Sequence, residues 1–156
     1  MRFHVINLPH TQTTKEYSWC AYTEKVRKFC NMMYDRGHEV FLYASEENEA
    51  RVTKLFTCVE KKSQTSTEPI WDANGPMFLP FNLRAIAHMS DIIEPQDIIC
   101  IIGGNCQKPV SDAFPNNISV EFGIGYAGVY TNFRIFESYA WMHTLYGQIY
   151  GAYQAD

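Results

Sequence analysis

A cluster of polar side chains directly follows the first apolar run of this sequence. The run covers residues 2–8, and the cluster consists of His10, Thr11, Thr13 and Thr14. If a helix comes next, its free backbone N–H groups and its dipole favour a phosphate or a carboxylate at this point. The hydroxyls could add hydrogen-bond donors, and the imidazole could relay a proton. We therefore predict His10 as a catalytic residue and the three threonines as substrate-binding residues, with an ordinary capped loop as the alternative for each residue taken singly.

A second group of candidates lies late in the chain, where residues 118–122 alternate between apolar and polar side chains. Glu121 in this run could act as a base or accept a hydrogen bond from a sugar hydroxyl, and we predict it as the second catalytic residue. Gly123, Gly125 and Gly128 follow it. They serve either backbone geometry alone or a backbone cradle for an anionic or sugar ligand, and the second interpretation makes Gly123 and Gly125 substrate-binding residues.

These three glycines also match the dinucleotide-binding pattern G-x-G-x-x-G after a predicted strand. The pattern lies near the end of the sequence rather than in its first strand–helix–strand unit. No later strand carries an acidic residue at the position that would bind a ribose hydroxyl. Residues 129–133 also make a poor first helical turn. We therefore do not expect a nicotinamide cofactor.

The remaining substrate-binding candidates are polar or aromatic residues near the same predicted strand ends. They are Asn105, Tyr126, Arg134, Glu137 and His143. Asn105 follows the most apolar run of the chain, and the ring of Tyr126 offers a platform for a sugar or a base. Plainer interpretations stand beside these. Aromatic residues at helical spacing usually belong to a core, and Arg134 with Glu137 could form a surface ion pair worth at most about 1 kcal/mol.

The pattern of apolar residues predicts the elements that must position these groups. We expect strands at residues 2–8, 39–44, 52–59, 97–102 and 118–122, and helices up to residue 36, at residues 78–90 and within residues 129–147. Thr13 and Glu16 fit a capping box for the first helix, and Gly37 fits its C-cap. Residues 105–117 are expected to form a polar loop. Together these elements predict a single α/β domain over residues 1–156, with a Rossmann-like, doubly wound, mostly parallel sheet and helices on both faces.

Composition narrows the function classes. With 156 residues and a net charge of −4, the chain suits one folded domain and has no general electrostatic footprint for nucleic acid. The five cysteines form no Cys-x-x-Cys pair and no zinc-spaced cluster with histidine, so we predict reduced thiols and no metal site. No apolar run approaches the roughly 20 residues of a membrane span. We predict a cytoplasmic protein.

Two stretches carry a resemblance to a known family. Residues 9–16, which lead into the first helix, and the late runs at residues 120–126 and 133–143 resemble the N-terminal half of GT-B-fold glycosyltransferases. The group is similar to retaining family 4 transferases and is common in phage and bacterial genomes. The likeness covers most of the chain, and the late runs are its most specific part.

The resemblance implies a two-domain enzyme that moves a sugar from a nucleotide-sugar donor to an acceptor in the cleft between its domains. Residues 10–14 would border the donor diphosphate, and residues 121–126 and 134–143 would line the acceptor side. The donor is a substrate, so no cofactor is implied. The donor-binding half has no counterpart in this sequence, so we expect a C-terminal donor domain or a second subunit as partner. The family has no obvious protein nucleophile, so the site residues are expected to bind and to stabilise charge.

Two alternatives stay open beside the transferase. The first is a stand-alone binding module that captures a nucleotide or a small phosphorylated ligand without turning it over. The second is a structural or partner-binding domain. The sequence does not identify the sugar, the acceptor or the stereochemical outcome, and a nucleic-acid acceptor has no support in the residues themselves.

Overall fold

The computed structural model describes residues 1–63 and 70–151, and these form a six-stranded sheet in which every strand pair is parallel. The strands are β1 (Arg2–Ile6), β2 (Glu39–Ser45), β3 (Lys54–Val59), β4 (Ile98–Ile101), β5 (Ile118–Ile124) and β6 (Phe133–Phe136). Their order across the sheet is β3-β2-β1-β4-β5-β6. This is the order of a doubly wound Rossmann-like sheet, so the predicted fold class is confirmed.

Helices cover both faces of the sheet. They are α1 (Ala21–Asp35), α2 (Phe78–Ser90), α3 (Lys108–Ala113) and α4 (Tyr139–Gly151). One core lies under α1 and includes Val5, Val26 and Cys30, while the other lies under α2 and includes Ile6 and Phe81. Burial on both faces explains why the central strands read as nearly continuous apolar runs.

The first helix begins later than expected. Its end is as predicted, with Gly37 in a left-handed conformation at φ 76° just past the helix. The predicted capping box is wrong, because Lys15–Tyr17 forms a separate 3-10 turn whose preceding residue makes no side-chain cap. The helix proper starts at Ala21. Between β1 and the helix the chain runs beside the segment that follows β2, where Thr13 exchanges backbone hydrogen bonds with Glu47 and Glu49.

Two predicted segments are corrected in the C-terminal third. Residues 105–117, expected to be a loop, contain the end of a 3-10 turn (Gly104–Gln107) and all of α3. Residues 129–147, expected to hold one helix, contain β6 and most of α4. Arg134 is therefore a strand residue, because Phe133–Phe136 extends the sheet by pairing with β5. Among the described elements, no helix combines the length and the apolarity that crossing a bilayer requires.

Candidate functional site

A pocket of about 500 Å³ opens at the carboxyl ends of β4 and β5. It lies beside the point where strand order reverses between β1 and β4, which is where open α/β sheets bind their ligands. Its volume is within the usual range for small-molecule sites. The lining residues come from α1, from the segment before α2, and from the turns after β4 and β5: Tyr22, Trp71, Ile102, Gly103, Asn105, Cys106, Tyr126, Ala127 and Gly128.

Three aromatic rings form the walls of this pocket. Tyr22 packs edge-to-face against Trp71, with ring centroids 6.0 Å apart, and against Tyr126, with centroids 5.7 Å apart. Trp71 also packs against Phe78 at the start of α2, which fixes the wall to the core. Burial, and to a lesser degree the Glu121 carboxyl group, raises the pKa of Tyr126 above its ordinary value, so its phenol stays neutral.

The floor of the pocket is the turn after β4, and Gln107 fixes its backbone. The buried Gln107 Oε1 accepts hydrogen bonds from the N–H groups of Ile102, at 3.1 Å, and Gly103, at 2.8 Å. Its Nε2 donates to the carbonyl oxygen of Asn7 at 2.8 Å, which ties this turn to the loop after β1. Asn105 donates its backbone N–H to the Gly128 carbonyl oxygen at 3.0 Å. The two turns that line the pocket are thereby joined to each other.

Cys106 also lies in this floor, and burial followed by the charge of Asp72 raises the pKa of its thiol. A protonated thiol is a weak nucleophile, so Cys106 contributes contact area rather than reactivity. The backbone carbonyl oxygen of Cys106 accepts a hydrogen bond from Asn82 Nδ2 of α2 at 2.8 Å. This bond anchors the turn to the helix below it.

The polar cluster after β1 faces inward. The hydroxyls of Thr11 and Thr23 lie 2.6 Å apart, and Asn7 Nδ2 donates to Thr13 Oγ1 at 2.7 Å. All four of these side chains are fully buried. Thr14 Oγ1 is also buried and has no hydrogen-bond partner among the described residues. None of these threonines contributes to the lining of the pocket.

His10 lies behind the pocket wall rather than in it. Its ring packs edge-on against Trp71 with centroids 6.3 Å apart, and its Nε2 lies 3.8 Å from Cys20 Sγ. The side chain is 5% exposed, and burial lowers its pKa to about 4. The imidazole is therefore neutral near pH 7. Its Nδ1 is buried and has no hydrogen-bond partner within the described ranges.

Glu121 is fully buried and holds the connection between β5 and β6. Its Oε2 accepts hydrogen bonds from the N–H groups of Tyr130, at 3.0 Å, and Thr131, at 2.8 Å, and from Thr131 Oγ1 at 2.9 Å. Only residues 125–132 separate the two parallel strands. A crossover between parallel strands usually needs a dozen residues or more. The carboxyl group acts as the fixed point that lets so short a connection turn back.

Three glycines at the end of β5 and after it, Gly123, Gly125 and Gly128, each have a packing or conformational reason in the structure. Gly123 and Gly128 adopt φ values of 60° and 83°, which favour glycine. A side chain at Gly125 would collide with the carboxylate of Glu137. Backbone conformation therefore accounts for Gly123 and Gly128, and the contact with Glu137 accounts for Gly125. Of the three, Gly128 also lines the pocket.

Arg134, Glu137 and His143 do not line this pocket. Arg134 Nε donates to the carbonyl oxygen of Thr131 at 2.7 Å, and Glu137 pairs with Lys25 of α1 at 2.8 Å, so the expected Arg134–Glu137 ion pair is replaced by these contacts. Arg134 and Glu137 border a second, more open depression of about 540 Å³ beside the start of α4. His143 is exposed on α4 and borders neither cavity.

The structure thus brings Asn105 and Tyr126 together in one pocket and leaves the other predicted site residues around it. The sequence alone did not single out Trp71 or Tyr22, which form two of the pocket walls. A lone tryptophan in a polar segment was the signal that could have pointed to the wall.

Among the described residues, no group of three or more His, Cys, Asp and Glu side chains could hold a metal ion. Comparison of the chain with protein-family models, with curated proteins and with solved structures finds no match.

Proposed function

We propose that this chain binds a ring-bearing small molecule in the pocket beside β4 and β5. We further propose that it does so as the acceptor-side domain of a glycosyltransferase that uses a nucleotide-sugar. The observation that carries the first proposal is the cavity itself, with three aromatic walls and one amide side chain at the ligand-binding edge of a doubly wound sheet. The second proposal rests on the resemblance of residues 120–126 and 133–143.

The pocket suits the contribution that such a domain would make to sugar transfer. Tyr126 belongs to the late run that resembles the transferases, and it is one wall of the cavity. The donor sugar would be held by a second domain or a second subunit facing this edge of the sheet. The role proposed for the chain is to bind and orient a substrate, which by itself contributes substantially to the rate of a transfer reaction.

A specific observation favours a second candidate, capture of a ligand without turnover. The two residues predicted to move protons are both buried, Glu121 completely and His10 to 95%. One carboxyl oxygen of Glu121 accepts hydrogen bonds from the backbone of the β5–β6 connection. Neither residue belongs to the lining of the pocket. A site without a proton carrier on its surface suits binding alone.

Calorimetric titration with UDP-glucose tests the pocket, and release of UDP in the presence of an acceptor sugar tests turnover. We expect the pocket to bind at least one of UDP-glucose, uridine and methyl glucoside, and we expect Trp71→Ala to weaken that binding at least tenfold because it removes a stacking wall. Trp19→Ala is the matched control, since Trp19 is 62% exposed and lies outside the pocket. Turnover supports the transferase, and saturable binding without release of UDP supports capture. If UDP-glucose, uridine and methyl glucoside all fail to bind, the pocket proposal is wrong.

A further inference from the structure

We infer that the pocket receives a nucleobase, stacked against its aromatic walls and hydrogen-bonded along one edge by Asn105. This inference rests on the proposed function, since it names the part of a ligand that enters the same cavity. It follows from a comparison of what the lining offers with what a phosphate, a sugar and a base each require.

A phosphate group is poorly served by this pocket. Phosphate sites in open α/β sheets use free backbone N–H groups or basic side chains. Here Gln107 Oε1 occupies the N–H groups of Ile102 and Gly103, and the Gly128 carbonyl oxygen occupies that of Asn105. None of the described side chains that line the cavity carries a charge. These three backbone donors are therefore not free to bind a phosphate.

A sugar ring is served no better. Each hydroxyl of a hexose both donates and accepts, and a buried hydroxyl without a partner costs about 1–3 kcal/mol. Besides the Asn105 amide, the polar side-chain groups of the lining are the hydroxyls of Tyr22 and Tyr126, the indole N–H of Trp71 and a thiol with weak hydrogen-bonding capacity. The Tyr22 hydroxyl already donates to the Gly125 carbonyl oxygen at 3.5 Å, and the Tyr126 hydroxyl is buried. Several hydroxyls would remain without partners.

A nucleobase matches the lining because its two faces need no hydrogen bonds and its polar atoms lie only along its edge. Tyr22, Trp71 and Tyr126 present aromatic rings to the cavity, and the rings of Trp71 and Tyr126 stand 77° and 75° from the plane of Tyr22. Base–aromatic stacking is a strong and general contact. The amide of Asn105 provides both a donor and an acceptor, which is the combination that a base edge requires.

Asn105 is placed where its amide can form hydrogen bonds with the edge of a base. Its backbone is fixed to Gly128, and its side chain lies against Gly128, where an added Cβ would stand 3.1 Å from Nδ2. The residue is exposed at the pocket, so its amide is accessible to a ligand. The net charge of −4 and the uncharged lining favour the base of a nucleoside or mononucleotide over that of a polynucleotide.

Calorimetric titrations with adenosine, cytidine, methyl glucoside and sodium pyrophosphate test the inference on the full chain. We expect a nucleoside to bind and pyrophosphate to give no binding. Trp71→Ala should weaken nucleoside binding at least tenfold, and Asn105→Ala should weaken it about fivefold through loss of one or two hydrogen bonds. Asn116→Ala is the matched control, because Asn116 is exposed and lies outside this pocket.

The outcomes separate this inference from the proposed function. Binding of methyl glucoside but of no nucleoside, lost in Trp71→Ala, overturns the nucleobase and leaves the pocket proposal standing. Failure of every probe, with UDP-glucose included, overturns both. Nucleoside binding that is unchanged in Asn105→Ala overturns the role of Asn105. Binding of a single-stranded oligonucleotide more than tenfold tighter than either nucleoside overturns the assignment to a mononucleotide.

Discussion

The loop after β1 and the turn after β4 lie side by side at the same edge of the sheet, but they use their polar groups in opposite ways. The first has the richer set of hydroxyl and imidazole groups, and it directs them into the protein, where Thr11 meets Thr23 and Thr13 meets Asn7. The second has a single exposed amide, on Asn105, and it lines the cavity. Polar side chains at this edge of the sheet therefore divide into those that build the edge and those that face the pocket.

This difference has a simple physical origin. A loop that crosses the top of a sheet buries backbone groups that need partners, and short polar side chains are the nearest source. The hydroxyls after β1 meet that need. In the turn after β4, the side chain of Gln107 accepts the hydrogen bonds of the buried backbone N–H groups. The side of this turn that faces the pocket therefore does not need polar side chains, and aromatic rings can pack beside it.

Among the residues that build this edge of the sheet, replacing Glu121 should cause the largest loss of stability. Glu121→Ala removes the acceptor for two backbone N–H groups and one hydroxyl in a buried setting, and we expect a loss of about 3 kcal/mol or more in the free energy of unfolding. Urea denaturation measures this loss. Glu137→Ala is the matched control, because Glu137 is partly exposed and its ion pair with Lys25 should be worth no more than about 1 kcal/mol. Equal losses in the two variants would contradict the role of Glu121 as the fixed point of the β5–β6 connection.

The pH dependence of stability should show that His10 is buried rather than presented to a ligand. Burial lowers the pKa of His10 to about 4 in the folded protein, against 6.5 for an ordinary histidine. The unfolded chain therefore takes up a proton first as the pH falls, so stability is full above about pH 6.5 and falls as the pH drops toward 4. Between pH 7 and pH 5 this group should cost the folded state about 2 kcal/mol.

His10→Gln isolates that contribution, because burial also lowers the pKa of His4 and the parent curve contains both histidines. Urea denaturation of the two proteins at pH 7 and at pH 5 gives the comparison. The variant should lose about 2 kcal/mol less than the parent over this interval. Parallel curves would mean that His10 titrates normally and is accessible to solvent.

Replacing the paired threonines should cause the smallest loss of stability, and unlike replacement of a pocket residue it should leave ligand affinity unchanged. Thr11→Val leaves the Thr23 hydroxyl buried without its partner, and we expect a loss of about 1 kcal/mol in unfolding free energy with no change in ligand affinity. The double replacement Thr11→Val with Thr23→Val should cost less than the sum of the single ones, since both polar groups are then absent. A several-fold loss of nucleoside affinity in Thr11→Val, measured by calorimetry, would place this loop in the binding site after all.

Much of the fold was readable from the sequence because its signals are local. The bounds of α2 agree with the prediction, and so do the parallel pairing of β1 with β2 and the left-handed glycine after α1. The apolar run that became β4 does pair on both sides, with β1 and with β5. These features depend on the period of apolar residues and on one glycine, which neighbours in the chain determine.

The misassigned segments depend on distant partners instead. Residues 133–136 carry aromatic and apolar side chains that suit a helix or a strand, and pairing with β5 makes them a strand. The candidate site was readable only in part for the same reason. Asn105 and Tyr126 follow strands and could be placed at the correct edge, whereas Trp71 becomes a wall only because Tyr22 and Phe78 pack against it. Whether a hydroxyl such as that of Thr11 points inward depends on Thr23, a partner on another element.

The adjacency of β1 and β4 also has a consequence for how the chain folds. Phe3 pairs with Ile98, so the centre of the sheet joins the beginning of the chain to a strand nearly two thirds of the way along it. The unit of β1, α1 and β2 can close by short-range contacts, but the central pair must wait for a long loop to close, which slows folding. During synthesis from the amino end, the turn after β4 and the Gln107 side chain that fixes it emerge late. Only then can the edge of the sheet that carries the pocket form. The pocket is therefore expected to be among the last parts of the molecule to acquire its shape.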